Sequence, residues 1–72
     1  MRLYVTFGQD HTHRVVNQTL DKDCVAVVKC ATYAHGRDIC FEYFGDKFAT
    51  TYTEKEIADK MDFFPRGKIP VN

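Results

Sequence analysis

Apolar and polar residues alternate from the second position onward, through Arg2-Leu3-Tyr4-Val5-Thr6-Phe7. A period of two in β-forming residues predicts a strand over 2–7, with Leu3, Val5 and Phe7 turned to the core. Gly8 offers a bulge or bend. Residues 9–23 are polar apart from Val15, Val16 and Leu20, and read as a hairpin-like excursion turning near Asn17 and closed by Asp21-Lys22-Asp23. Residues 24–31 are apolar everywhere except Lys29. A strand apolar on both faces belongs in the middle of a sheet.

The period then changes. Ala34, the Ile39–Cys40 pair and the Tyr43–Phe44 pair recur at helical spacing over 33–44. Thr32 suits an N-cap, and Gly45 stands where a C′ glycine belongs. Residues 47–53 alternate again, with Phe48, Thr50 and Tyr52 on one face. Thr53 and Glu56 have capping-box spacing, opening a short helix through about Met61 with Ile57 and Met61 inward. A turn over 62–67 leads to a last short strand, Lys68 to Val71, which Pro70 confines to a sheet edge. The chain has no internal repeat, low-complexity tract or linker.

The order is β-β-α-β-α-β in a single domain, 1–72. It predicts an α+β fold: a small mixed β-sheet with one main helix packed on a face and a second short helix. The first strand is expected antiparallel to the second, and the segment from Cys24 to Tyr52 to be a right-handed crossover between parallel strands.

Seventy-two residues make a small domain, and a chain of that size buries only about 60% of its unfolded surface. Six phenylalanines and four tyrosines offset this, since each ring can bury roughly 150–250 Å². Rings left outside the core are candidates for a partner or homodimer surface. Ten basic residues balance ten acidic ones, and the two halves are balanced as well. That balance argues against a DNA- or RNA-binding protein, which normally presents a basic face, and excludes a heavily acidic nucleic-acid mimic.

The three cysteines, Cys24, Cys30 and Cys40, are odd in number. On one strand Cys24 and Cys30 would stand about 20 Å apart, far beyond the ~7 Å between Cα atoms that a disulfide tolerates. The N-terminus enters directly into strand residues rather than a charged-then-apolar leader. No apolar run approaches the ~20 residues that span a bilayer. A reduced, cytoplasmic setting without membrane attachment is expected.

The sharpest chemical signal is His11-Thr12-His13. If the first strand continues past Gly8, both imidazoles share the face of Leu3, Val5 and Phe7. Such a pair can share a metal when a third ligand arrives, here Asp21, Asp23 or Cys24, or less readily His35. The plainer reading is that the histidines close the end of the sheet through hydrogen bonds, and no metal or other cofactor is expected. Cys24, Cys30 and Cys40 lie among apolar neighbours rather than in the electropositive niche a nucleophile needs. The chain contains no serine and its glycines are scattered, which removes a serine nucleophile and a glycine-rich phosphate loop. No catalytic residue is assigned, and an enzyme is not expected.

Two further groups suit a contact surface. Glu54, Glu56 and Asp59 give the second helix an acidic side, which either complements the helix dipole or faces a basic partner. Phe63-Phe64-Pro65-Arg66-Gly67-Lys68 joins two rings to two cations around a proline turn, an interface anchor or a base-stacking site using Phe63, Arg66 and Lys68. The partner-binding residues expected are His11, His13, Arg66, Glu54, Glu56 and Asp59. A metal-binding protein using the His-x-His pair and a small nucleic-acid-binding module are the alternatives.

Several stretches carry a resemblance: Leu3-Tyr4-Val5-Thr6-Phe7-Gly8-Gln9 followed by His11 and His13; Leu20-Asp21-Lys22-Asp23-Cys24-Val25-Ala26-Val27; Phe41-Glu42-Tyr43-Phe44-Gly45-Asp46-Lys47-Phe48; and Phe64-Pro65-Arg66-Gly67. Over most of its length the chain resembles a group of very short proteins encoded in bacteriophage genomes and prophages. Those motifs carry no established activity, so the resemblance transfers no functional residue. It implies a setting: an accessory protein in the cytoplasm of a bacterial host that binds a host protein or complex. Inhibitors of CRISPR–Cas and other defence systems are a prominent class there.

Overall fold

The computed structural model describes residues 1–15 and 18–72. The chain runs through β1 (Arg2–Thr6), β2 (His13–Val15), β3 (Gln18–Leu20), β4 (Cys24–Lys29), α1 (Tyr33–Phe44), β5 (Thr50–Tyr52), α2 (Glu54–Ala58), a 3₁₀ turn (Met61–Phe63) and β6 (Gly67–Pro70). One mixed sheet has the order β5-β1-β4-β6. In it β1 is antiparallel to both neighbours, and β6 is parallel to β4. β2 and β3 form a separate antiparallel pair with His13 opposite Leu20. The turn expected near Asn17 lies outside the described residues. The fold is α+β, as the order of periodicities predicts.

The even charge of the chain hides a strict sorting of its apolar residues. Leu3, Val5, Phe7, Cys24, Ala26 and Val28 form one core with Leu20, Cys40 and Phe44, under α1. Tyr4, Val25 and Val27 form a second core with Ile57, under α2. β4 therefore contributes to both cores, which is why its sequence is apolar at almost every position. β4 and β5 run in the same direction, as expected, but do not touch, because β1 lies between them and pairs with both.

α1 has the predicted bounds and caps. Thr32 Oγ1 accepts from the His35 N–H at 3.1 Å, and Gly45, at φ +62°, donates its N–H to Phe41 O at 2.9 Å. Its buried row is Gly36, Cys40 and Phe44, whereas Ala34, expected inward, is exposed. Gly36 allows the helix to press on the sheet: a Cβ there would stand 2.8 Å from Cys30 Sγ and 3.0 Å from Leu3 Cδ2.

Two expectations fail for local reasons. Only Thr50–Tyr52 of the 47–53 segment is a strand, so Phe48 packs on the α1 core while Tyr52 packs on the α2 core. α2 stops at Ala58 because the Lys60 N–H turns back to Ile57 O at 2.9 Å, and a 3₁₀ turn carries Met61 instead. At the C-terminus Asn72 mimics a strand: its side chain accepts from Lys29 N–H at 2.7 Å and donates to Lys29 O at 3.0 Å.

Candidate functional site

Gly8 lies at φ +65°, a left-handed conformation that side-chain-bearing residues rarely adopt. β1 ends at Thr6, and a turn over 8–10 redirects the chain. The expected parity from Phe7 to His11 and His13 breaks there. His13 still reaches the α1 core, by way of the returning hairpin. Its ring centroid lies 5.7 Å from Phe7 and 5.1 Å from Phe44, and its Nε2–H donates to Lys47 O at 2.6 Å. His11 sits half-buried in the loop before β2. Among the described residues, no group of three His, Cys, Asp or Glu side chains is placed to hold a metal ion.

The other expected contact residues are dispersed. Arg66 Nη1 donates to Thr19 O at 2.6 Å and to Asp21 Oδ1 at 3.2 Å, tying the start of β6 to β3. Glu54 accepts from the Tyr4 hydroxyl at 3.2 Å. Glu56 completes the capping box, accepting from Thr53 N–H at 2.9 Å, and these hydrogen bonds hold its carboxyl below the usual carboxylate range. Asp59 is the C-cap of α2. His13 thus packs on the α1 side of the sheet, whereas Glu54, Glu56 and Asp59 ride on the α2 side.

Phe63 is 75% exposed, yet Arg66 turns toward β3, and Lys68 lies 5.3 Å from the ring of Tyr4. The ring and two cations proposed for base stacking do not share one surface. The cysteine thiols are free. Burial pushes the Cys40 thiol up to about 11 and raises that of Cys24, which donates to Asp21 O. A nucleophilic cysteine needs the opposite shift.

One exposed group is assembled in a way the sequence reading missed. Tyr33, Arg37 and Phe41 stand four residues apart along α1 and so line one flank of the helix. The guanidinium of Arg37 lies 5.6 Å from the Phe41 ring centre, and Phe41 meets Phe48 edge-on at 5.3 Å. Arg37 Nη1 donates to Thr51 Oγ1 at 2.9 Å, and the Tyr33 hydroxyl shares that same oxygen at 2.8 Å. Phe41 is 51% exposed and Tyr33 40%. Thr51 belongs to β5, the outer strand at this end of the sheet. The patch is a cation and three rings already held in place, beside a strand with one unpaired side. The available signal was the i, i+4, i+8 spacing of Tyr33, Arg37 and Phe41, set just outside the row that is buried.

Chemically, this arrangement can bind but lacks the nucleophile–base pair of a hydrolytic centre. Among the described residues no helix is long and apolar enough to cross a membrane. No protein-family model, no curated protein and no solved structure matches this chain.

Proposed function

We propose that this chain is a non-enzymatic accessory protein of phage type, which binds a bacterial host protein complex in the cytoplasm and inhibits it by occupying a surface. A defence assembly of the CRISPR–Cas kind is the favoured target. The supporting observation is the patch of Tyr33, Arg37, Phe41 and Phe48 beside the open side of β5. Arginine and aromatic side chains dominate the residues that anchor protein interfaces. Side chains already fixed by hydrogen bonds lose little freedom on docking, which removes part of the ordering cost of association. An outer strand can also accept a partner strand through its main chain. A face of about 800 Å² is enough for a specific complex.

The test is functional. The protein is expressed in bacteria carrying individual, active defence systems, and phage plating is measured on each. Restored plating in one strain, lost again with Phe41→Glu, supports the reading. Unchanged plating on all of them overturns the inhibitory role.

A further inference from the structure

On the α2 side of the sheet three cations stand on three adjacent strands, two at one end and the third four residues along the register. Arg2 of β1 lies directly opposite Lys29 of β4 in the pairing register. Lys68 of β6 is opposite Val25 and reaches over the Tyr4 ring. Arg2, Lys29 and Glu54 line two adjoining concavities of about 340 and 370 Å³, and Lys68 lines the larger. Tyr4, Val27 and Pro70 complete the larger one. Like charges directly opposite on neighbouring strands oppose folding. No carboxylate lies within ion-pair distance of any of the three among the described residues; the pairs formed are Lys22–Asp23 and Arg66–Asp21. A surplus of positive charge at a concave site, only partly offset by Glu54, is a local violation of the kind that function retains.

We infer that Arg2, Lys29 and Lys68 bind the phosphate of a small hydroxyl-bearing phosphomonoester, a sugar phosphate or mononucleotide. The charge sum of the larger concavity favours a dianion: its three cations and the single carboxylate of Glu54 leave a surplus of two positive charges, and a phosphomonoester carries nearly two negative ones at neutral pH. Arginine supplies a planar fork for two phosphate oxygens and the lysines supply point charges. Glu54 specifies the rest of the ligand. One of its oxygens accepts from the Tyr4 hydroxyl at 3.2 Å, and an ionised carboxylate keeps further acceptor sites. Those sites suit the ligand's own hydroxyl groups. The volume lies at the small-molecule end of binding pockets. The site is independent of the α1 patch, which lies across the sheet, so either assignment can fail alone.

The probe is ribose 5-phosphate, titrated into the intact ¹⁵N-labelled protein by NMR, with inorganic phosphate and ribose in parallel. Saturable shifts are expected at the amides of Arg2, Lys29, Glu54 and Lys68, with ribose 5-phosphate bound more tightly than phosphate. Lys29→Gln and Lys68→Gln each weaken binding about five- to tenfold, the size of one charge-assisted hydrogen bond near solvent. Glu54→Gln removes a negative charge beside the bound anion, so inorganic phosphate binds more tightly, and the advantage of ribose 5-phosphate over inorganic phosphate is lost. Without ligand, Lys29→Gln raises the urea midpoint by removing the charge opposite Arg2. Absence of saturable shifts at these amides overturns the site, as does binding indifferent to both lysine substitutions. Tighter binding of a single-stranded RNA oligomer than of ribose 5-phosphate overturns the small-ligand assignment.

Discussion

His13 is read here as a structural tie between the hairpin and the main core, and His13→Ala tests that role. The substitution removes two ring contacts, to Phe7 at 5.7 Å and Phe44 at 5.1 Å, and one hydrogen bond to Lys47 O. Such ring pairs are worth about 0.5–1.5 kcal/mol each and a net hydrogen bond about 1 kcal/mol. Lys47 is exposed, so water replaces the lost donor and no buried carbonyl is orphaned. The expected loss is about 2–4 kcal/mol. For a domain of this length the whole stability is roughly 4–11 kcal/mol, so the loss is a large share of it and the variant is weakened visibly. Urea unfolding, at a slope near 1 kcal/mol per M, should move its midpoint down by about 2–4 M. His11→Ala, in the loop, should cost under about 0.5 kcal/mol. A double-mutant cycle with Phe44→Leu should give a coupling of about 0.5–1.5 kcal/mol. Equal, small effects of the two histidine substitutions, or zero coupling to Phe44, would refute the tie.

Further outcomes follow from other local contacts. Gly36→Ala gains about 1 kcal/mol of helix propensity but sets a methyl 2.8 Å from Cys30 Sγ and 3.0 Å from Leu3 Cδ2. Overpacking of that kind costs about 1–3 kcal/mol, so the melting temperature should fall, and Cys30→Ala in the same chain should recover part of it. Brief alkylation at pH 7.5 should label Cys30 alone in the native protein and all three cysteines in denaturant, because Cys40 and Cys24 are buried and their thiols titrate high. The Glu56 carboxyl is held low in the folded chain, so its contribution is present above the ordinary carboxylate range and is lost as the pH falls through its folded value. Urea midpoints between pH 6 and 3 should therefore decline less steeply for Glu56→Gln than for the natural sequence. Arg66→Ala should speed hydrogen exchange in β3 with a global cost near 1 kcal/mol, since it removes the bonds to Thr19 and Asp21.

What could be read from sequence divides by the range of the interactions. β1, β4, α1 and both N-caps are local patterns; α1 and the caps stand where their residues imply, and the strands start there but end early, β1 at Thr6 and β4 at Lys29 rather than at 7 and 31. Pro70 marks an outer strand for the same reason. The failures begin where a backbone detail or a distant partner decides. A positive φ at Gly8 ends the parity on which the histidine pair rested. Phe48 and Tyr52 part company because the strand begins only at Thr50, which leaves Phe48 outside its alternation. Arg66 looks solvated in sequence and is bonded to Thr19 and Asp21, far away in the chain. Arg2, Lys29 and Lys68 are three isolated cations until the strand register sets Arg2 opposite Lys29 and the fold brings all three to the lining of one concavity. The Tyr33–Arg37–Phe41 spacing was visible, but only the burial of Gly36, Cys40 and Phe44 shows which flank faces outward.

Contact through the α1 patch is the central claim, and affinity capture with single-ring variants tests it most directly. The intact protein, Phe41→Glu and Phe63→Glu are each purified from a bacterial lysate containing the defence complex that plating identifies, and bound proteins are quantified by mass spectrometry. Both substitutions place a charge on an exposed ring position, so non-specific effects are matched. One complex retained in fixed stoichiometry by the natural chain and by Phe63→Glu, and lost with Phe41→Glu, is the predicted result. Equal retention by Phe41→Glu, or loss confined to Phe63→Glu, contradicts it.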